Sequence, residues 1–273
     1  MNVFMPELSD EDFEKFSKLI YEQCGIYLQP LKKALLKSRL LKRLKVLNLN
    51  SFSEYYNYLM KDKSQKEFTE LINVISTNKT EFFREPKHFE FLKQVLAGQY
   101  SKQHKISIWS AASSTGEEPY SIAMTISNFF NDIITKEILI LATDIDTNVL
   151  KKAQQGEYDN ASLENLDENY VKKYFVESSD KNKKIVCDKI KNMIKFKQLN
   201  LVKPFPFITQ FDIIFCRNVM IYFDAPTQAK VVTQLYNHLK PNGYLLIGHS
   251  ESLMRVKIQN LKYLAPATYQ KII

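Results

Sequence analysis

Small residues and acids follow two short apolar runs in the middle of the chain, in an arrangement that suits a nucleotide-like ligand. Residues 106–109 are followed by Ser, Ala and Thr residues and then by Gly116, and such small side chains let a ligand approach the backbone closely. Residues 138–142 are followed by Asp144 and Asp146. An acid at the end of such a strand can accept hydrogen bonds from both hydroxyls of a ribose.

Both segments also have a purely structural interpretation. The small residues before Gly116 can form a tight turn between a strand and a helix. One of the two acids can cap a helix over residues 147–154, and Asp146 suits that role better than Asp144 does. Since the acids are two residues apart, they can serve both purposes.

Two further segments carry polar side chains next to predicted strands or helices. Arg217 and Asn218 directly follow the apolar run 211–215, so we expect them at the edge of the sheet, although a surface loop is the simpler interpretation of that pair. Arg84 closes the segment 77–84, and its guanidinium can pair bidentately with a carboxylate. The histidines form no evident catalytic pair; they are His88, His104, His238 and His249.

The elements that position these side chains change in character along the chain. The pattern of roughly the first 75 residues predicts helices. We expect the first helix to begin at Ser9, with Asp12 in a capping box, and to end at Gly25. From residue 106 onward, short apolar runs alternate with amphipathic stretches, which predicts βαβ units and a parallel sheet covered on both faces. Strands are predicted at 106–109, 138–142, 193–196, 211–215 and 244–247, with one more over 261–272 and a hairpin tip at 177–184.

Composition restricts the class of protein. No stretch approaches the roughly 18–20 apolar residues of a membrane span, and residues 1–12 do not resemble a secretory signal. The three cysteines, Cys24, Cys187 and Cys216, are widely spaced, which argues against a disulfide framework or zinc site and fits a reducing cytoplasm. The net charge of +8 favours an acidic partner without identifying it.

A predicted helix between Lys32 and Lys45 concentrates positive charge. It carries seven basic residues and no acid. One arc of the helix holds Lys32, Arg39, Lys42 and Arg43, and another holds Leu36, Leu40, Leu44 and Leu47. The helix is therefore either a solvated surface helix or a docking face for an acidic helical partner.

Taken together, the segments resemble the CheR-type chemotaxis methyltransferases. The matching sequence motifs are TNKTEFFR, WSAASSTGEEPYSIAM, ATDIDTNVL, FDIIFCRNVMIYFD and GHSESL. The earlier segments KSRLLKRL and SFSEYYNYL resemble that family's helical domain. The likeness covers nearly the whole chain in the same order. It implies an α/β fold: an all-α domain over residues 1–75, then a Rossmann-like class I methyltransferase domain over 76–273 with a seven-stranded sheet and a small antiparallel β-subdomain inserted near 170–193.

The resemblance also implies an activity and a site. The activity is transfer of a methyl group from S-adenosylmethionine to glutamate side chains of chemoreceptors by a cytoplasmic enzyme, with no metal. The positions that match cofactor-contacting residues of the family are Asn78, Thr80, Arg84, Glu118, Asp144, Asn200, Leu201, Arg217 and Asn218. Tyr222 matches a tyrosine close to the transferred methyl group, so we expect Arg84 and Tyr222 to be the catalytic residues.

The resemblance favours the docking interpretation of the basic helix, with the cytoplasmic helical bundle of chemoreceptors as the partner. Some family members also capture a short peptide from the receptor's C-terminus with a glycine-containing turn in the β-subdomain. Residues 176–184 contain no glycine, so we expect no tight binding of such a tethering peptide here.

Two other functions remain open at this stage. The same fold serves methyltransferases that act on RNA or small molecules, and the positive charge would suit RNA, but the sequence shows no RNA-binding motif. A non-catalytic protein that senses S-adenosylmethionine is the other alternative, and the presence of Arg84 and Tyr222 argues against it.

Overall fold

A computed structural model describes residues 6–130 and 136–272. The chain starts with four helices: α1 (Asp10–Cys24), α2 (Lys33–Leu47), α3 (Phe52–Lys61) and α4 (Lys66–Ile75). As predicted, the Ser9 side chain caps α1 by accepting a hydrogen bond from the backbone N–H of Asp12 at 3.0 Å. The helix ends at Gly25, whose φ of 72° is accessible to glycine at little cost. No helix among the described residues is long and apolar enough to cross a membrane.

The four helices share one apolar core. Helix α2 follows a short 3-10 turn (Pro30–Lys32) and buries Leu36, Leu40 and Leu44, one residue from each successive turn. These leucines pack with Phe16, Tyr55 and other buried residues of the remaining three helices. The apolar arc predicted for this helix is therefore confirmed.

A seven-stranded sheet forms the rest of the main body. Its strands are β1 (Lys105–Ser110), β2 (Glu137–Asp144), β6 (Ile194–Gln198), β7 (Phe211–Cys216), β8 (Leu239–Ile247), β9 (Leu261–Ala265) and β10 (Thr268–Lys271). Their order across the sheet is β6-β2-β1-β7-β8-β10-β9, and the first five are parallel. Helix α5 (Lys87–Ala97) precedes β1, and α6 (Glu117–Phe129), α7 (Thr147–Gln155) and α10 (Ala225–Asn237) lie between strands in the sequence.

Both faces of the sheet are buried, as the continuous apolar runs predicted. Ile213 and Phe215 face one core, which includes residues of α5 and α6, while Ile214 faces a second core that includes α10. The α/β fold class with an N-terminal all-α domain is thus confirmed.

The prediction of one strand over residues 261–272 was wrong. The segment forms two antiparallel strands, β9 and β10, and only β10 pairs with β8. The chain reverses at Pro266 and Ala267, where Ala267 takes a φ of 58°. An alanine at positive φ is uncommon, so the sequence carries no turn signal there beyond the proline.

A small antiparallel sheet is inserted between α7 and β6. It consists of β3 (Glu157–Asp159), β4 (Phe175–Glu177) and β5 (Lys183–Val186) in the order β3-β5-β4, with α8 (Glu168–Tyr174) and α9 (Asp188–Lys191) beside it. The predicted hairpin between β4 and β5 is confirmed. Strand β3 lies outside the predicted range 170–193, because three residues with one buried side chain give little periodicity to read.

Candidate functional site

A cavity of about 700 Å³ lies between the N-terminal helices and the carboxyl edge of the large sheet. It opens at the topological switch point, where β1 pairs with β2 on one side and with β7 on the other. All ten of the sequence-predicted site residues line it: Asn78, Thr80, Arg84, Glu118, Asp144, Asn200, Leu201, Arg217, Asn218 and Tyr222. The structure therefore brings together five segments that are distant in the sequence.

Asp144, the last residue of β2, and Asp146 have different roles, which the sequence had left open. Asp146 caps α7, because its Oδ1 accepts hydrogen bonds from the backbone N–H groups of Asn148 and Val149 at 2.8 and 3.2 Å. Its other oxygen accepts a hydrogen bond from the Asn78 side chain at 2.7 Å, which ties the segment after α4 to this edge of the sheet.

Asp144 is the acid that lines the cavity. Its carboxylate accepts hydrogen bonds from the backbone N–H groups of Ser114 and Asp146, at 2.8 and 3.0 Å. Burial raises the pKa of Asp144 to about 6, with a smaller contribution from the charge of Asp146. Free lone pairs on a desolvated carboxylate favour a ligand that donates hydrogen bonds.

Arg217 is held between two carboxylates at the end of β7. Its Nη1 donates to Glu118 Oε2 at 2.8 Å and its Nη2 donates to Glu85 Oε2 at 3.0 Å. Nη2 also donates to the backbone carbonyl of Arg84 at 2.5 Å. The guanidinium is almost fully buried, so both carboxylates are needed to offset the cost of removing it from water.

Glu85 joins three separate loops, and the sequence reasoning missed it. Besides Arg217, its carboxylate accepts hydrogen bonds from the Asn218 side chain and the His249 backbone N–H, both at 3.2 Å. Burial alone would raise the pKa of Glu85, but the Arg217 charge and these hydrogen bonds outweigh it and lower the pKa. Its φ of 58° places a non-glycine residue in a costly conformation.

Glu251 joins the loops after β7 and β8, and its role was also missed. Its carboxylate accepts hydrogen bonds from the backbone N–H groups of Asn218, Met220 and Gly248, at 3.0, 2.7 and 2.6 Å. Asn218 itself has a φ of 58°. Glu251 lies in the matching segment GHSESL, whereas Glu85 directly follows the segment TNKTEFFR, and the sequence alone shows no partner for either acid.

The two predicted catalytic residues, Arg84 and Tyr222, come from segments that are far apart in the sequence. Arg84 donates through Nη1 to the backbone carbonyl of Lys79 at 3.0 Å, which folds the segment 79–84 back on itself. Tyr222 ends a 3-10 turn (Met220–Tyr222). Its carbonyl accepts a hydrogen bond from the Tyr27 backbone N–H at 2.9 Å, and Ile26 and Phe223 form an antiparallel bridge, so the N-terminal helical part holds this loop directly.

Asn200 and Leu201 follow β6 and lie at the same edge of the sheet. The Asn200 side chain donates to the Gln23 carbonyl at 2.7 Å, and Leu201 is buried against the second core. Asn200 therefore also connects the sheet to α1.

Three potential metal ligands lie close together behind Arg217. Ligand atoms of Glu85, His88 and His249 are within 4.8 Å of one another. Burial and the Arg217 charge lower the pKa of His88 to about 3, so this imidazole is neutral. The same guanidinium already neutralises Glu85, and a cation placed beside it would be repelled.

The docking face predicted on α2 needs correction at two arginines. Arg43 points inward and forms a bidentate pair with the buried Glu67, at 2.9 and 2.8 Å. Arg39 is half-buried and donates to the carbonyls of Ile75 and Ser76 and to the Thr77 hydroxyl. The periodicity placed both arginines on a solvated arc, because the acids and carbonyls that bind them come from distant parts of the sequence. The described cations of this helix that stay exposed include Lys42 and Lys45, with Lys32 in the preceding turn.

Comparison with known proteins agrees with this architecture. The family model described as CheR methyltransferase, SAM binding domain, matches residues 78–269, and the one described as CheR methyltransferase, all-alpha domain, matches residues 11–76. The chain belongs to the CheR methyltransferase family. A chemotaxis protein methyltransferase of Borreliella burgdorferi is 41% identical over 97% of this chain and 95% of its own length. A chemotaxis protein methyltransferase of Escherichia coli is 40% identical over 92% of this chain and 87% of its own length.

Membership of this family makes the chain an S-adenosylmethionine-dependent methyltransferase, and the cavity fits that cofactor. Ligand sites usually enclose about 300–1,000 Å³, and this cavity encloses about 700 Å³. Its lining includes acceptors for hydroxyl and amino groups, such as Asp144, and a cation for a carboxylate, Arg84.

Proposed function

We propose that this enzyme methylates glutamate side chains of chemoreceptors, giving glutamyl methyl esters and S-adenosylhomocysteine during sensory adaptation. The observation that carries the proposal is the sign of the charges in the cavity. Its lining includes five cationic side chains, Lys32, Arg39, Lys79, Arg84 and Arg217, against two carboxylates, Glu118 and Asp144. Such a lining attracts an anionic acceptor. Relatives from two bacteria that carry the name chemotaxis protein methyltransferase support the assignment to chemotaxis.

A carboxylate acceptor also agrees with the absence of a catalytic base pair among the described lining residues. A glutamate has a reference pKa of about 4.3, so it is already an anionic nucleophile at neutral pH. The lining includes no histidine, and each of its two carboxylates, Asp144 and Glu118, already accepts hydrogen bonds from neighbouring donors of the protein. An alcohol or amine acceptor would need a base to remove its proton.

We assign cofactor-binding roles to the lining residues by their chemistry. Asp144 binds the ribose hydroxyls through its free lone pairs, and Asn78 and Thr80 approach from the segment after α4. Glu118, Arg217 and Asn218 form the wall at the ends of β1 and β7, while Asn200 and Leu201 close the side next to α1. Bound S-adenosylmethionine supplies a methyl group that is already activated for transfer.

The protein's contribution to the rate is then orientation. Arg84 holds a carboxylate, either that of the cofactor or that of the incoming glutamate, through a planar guanidinium. Tyr222 orients the acceptor oxygen through its hydroxyl. Holding two reactants in line contributes on the order of 7–11 kcal/mol to lowering a barrier. The Tyr27–Tyr222 hydrogen bond supports this role, because it fixes the backbone that carries the tyrosine.

We propose the cytoplasmic helical bundle of chemoreceptors as the partner. On α2 and the turn before it, the exposed cations available for docking are Lys32, Lys42 and Lys45 rather than Arg39 and Arg43. Charge reversal of Lys42 and Lys45 should slow receptor methylation and leave cofactor binding unchanged. Unaltered receptor methylation would place the docking face elsewhere.

Capture of a tethering peptide by the β-subdomain is not part of the proposal. The turn between β4 and β5 contains no glycine, and the described residues of that turn show no positive φ. A peptide from a receptor C-terminus should therefore not bind with low-micromolar affinity in a titration. Such binding would mean that another feature of the subdomain replaces the glycine-containing turn.

The decisive experiment transfers labelled methyl from S-adenosylmethionine to a purified receptor cytoplasmic domain and then treats the product with mild alkali. We expect transfer, followed by release of volatile methanol, because carboxyl methyl esters hydrolyse under these conditions and N-methyl groups do not. A receptor domain with its candidate glutamates changed to alanine is the matched control. Transfer of alkali-stable methyl, or none to the receptor but transfer to RNA, would refute the proposal.

A further inference from the structure

Exposed apolar side chains line part of the cavity, and another lies next to a lining residue in the sequence. Tyr27 is 53% exposed, Leu35 is 42% exposed and Ile221 is 51% exposed, and all three line the cavity. Leu31, which is 90% exposed, precedes Lys32 of the cavity wall. We call these four residues the apolar rim. Single exposed apolar residues need no explanation, but a group beside a binding site indicates an interaction surface.

The apolar rim is attached to the loop that carries Tyr222. The Tyr27 backbone N–H donates to the Tyr222 carbonyl at 2.9 Å, and Ile221 is the residue before Tyr222. The Tyr27 ring packs edge-on against Tyr21, whose hydroxyl donates to Asp224 at 2.9 Å. Tyr27 and Ile221 are thus fixed next to the proposed acceptor-orienting residue rather than on a distant surface.

The chemistry of this part of the cavity combines apolar contact with positive charge. Lys32 and Lys79 line the same cavity as the apolar rim. A free amino acid or another small polar acceptor would use the charges and leave the apolar side chains in water. A folded acidic surface that brings apolar side chains next to its acceptor carboxylate would use both.

We propose that the apolar rim binds the acceptor-bearing helix of the partner, at apolar side chains one helical turn before and after the methylated glutamate. Residues three and four positions apart lie on the same face of a helix, so these side chains reach the cavity together with the acceptor. The inference rests on the proposed function and adds a specificity rule: an exposed glutamate without apolar neighbours on its face is a poor substrate, whatever its charge environment.

The test compares exposed apolar residues inside and outside the apolar rim. Leu31→Ser and Ile221→Ser should each raise the KM for the receptor cytoplasmic domain by about fivefold or more, as truncations that matter in an interface do. Affinity for S-adenosylhomocysteine should not change in Leu31→Ser, since Leu31 is not among the residues that line the cavity. Ile208→Ser is the matched control, since Ile208 is 98% exposed and does not line the cavity. It should leave the KM unchanged.

A second arm examines the partner. In this experiment the receptor's apolar residues three and four positions from the acceptor glutamate are changed to serine. The parent enzyme and Leu31→Ser should then have the same KM for that altered receptor domain. Equal KM values for Leu31→Ser, Ile221→Ser and Ile208→Ser on the unmodified receptor would overturn the apolar rim proposal. If the parent enzyme itself transfers no methyl to the receptor, the proposed function fails instead, so the two failures are distinguishable. Melting temperatures confirm folding of each variant.

Discussion

The side chain of Glu85 lies 3.0 Å from the guanidinium of Arg217, and this contact connects the segment after α4 to the end of β7. The Arg217 side chain is 1% exposed and the Glu85 side chain is 14% exposed. The same carboxylate binds Asn218 and His249. One acid therefore fixes the loops that carry Arg84, Arg217 and His249 relative to one another.

Glu85→Gln should slow methyl transfer at saturating cofactor by about 10- to 100-fold, because small displacements of a catalytic constellation have effects of that size. The amide nitrogen would replace one carboxylate oxygen and would face either the donor of Arg217 or those of Asn218 and His249. The buried guanidinium would keep Glu118 as its one charged partner among these two acids. Single-turnover kinetics measure the rate.

The control for this substitution is Glu81→Gln, which removes the same charge from an exposed residue of the same segment. It should leave the rate unchanged. Glu85 acts through its partners, so Glu85→Gln and Asn218→Ala should be non-additive in the transfer rate. Additive effects, or a rate for Glu85→Gln within twofold of the parent, would show that Glu85 has no positioning role.

The pKa of Asp144 predicts how cofactor binding depends on pH. Hydroxyl groups that donate to Asp144 favour its ionised form, so the pKa in the complex lies below the value of about 6 in the free protein. Binding therefore releases a proton at pH values between these two pKa values. Affinity for S-adenosylhomocysteine should be constant above pH 6 and should fall by about tenfold per pH unit below it.

Calorimetric titrations between pH 5 and 8 check this dependence. Asp144→Asn should bind S-adenosylhomocysteine more weakly than the parent at pH 7, and its affinity should not change with pH in the same way. Equal affinity of the variant and the parent, with the fold intact, would remove Asp144 from the ribose site.

Substitutions of Arg84 and Tyr222 should distinguish effects on cofactor affinity from effects on the rate of methyl transfer. Tyr222→Phe removes only a hydroxyl, so we expect slower single-turnover transfer with unchanged affinity for S-adenosylhomocysteine. Arg84→Ala should also slow transfer, and its effect on the cofactor affinity decides which carboxylate the guanidinium holds. Rates within twofold of the parent for both variants would withdraw these assignments.

The edge of the sheet was predictable because parallel strands end at a common edge. Asp144, Arg217 and Asn218 each follow an apolar run, and this spacing suggested a position at the edge of the sheet for all three. For Arg217 and Asn218 a surface loop was the simpler interpretation, and the family resemblance decided between the two. The separate role of Asp146 followed from the preference for acids at helix N-termini. Local signals of this kind also gave the start and the end of α1.

Contacts between distant segments were not predictable in this way. Glu85 joins its own loop to those of Arg217 and His249 with a φ of 58°, and the residues around it give no sequence signal for that conformation. Likewise, helical periodicity assigns a face to Arg43 but cannot show that Glu67, 24 residues later, lies under that face. The turn at Ala267 has the same cause, since a tertiary contact rather than a glycine sets the conformation there.

The buried Arg43–Glu67 pair leads to a prediction about stability. Arg43→Met leaves Glu67 buried beside the Tyr55 hydroxyl without its cation, so the free energy of unfolding should fall by about 3–5 kcal/mol. Lys42→Met removes the same charge from an exposed residue next to it and should change the free energy by less than about 0.5 kcal/mol. Urea denaturation measures both values. Similar changes in the free energy of unfolding for the two variants would show that Arg43 is solvated. Arg43 would then be available for docking, as the sequence predicted.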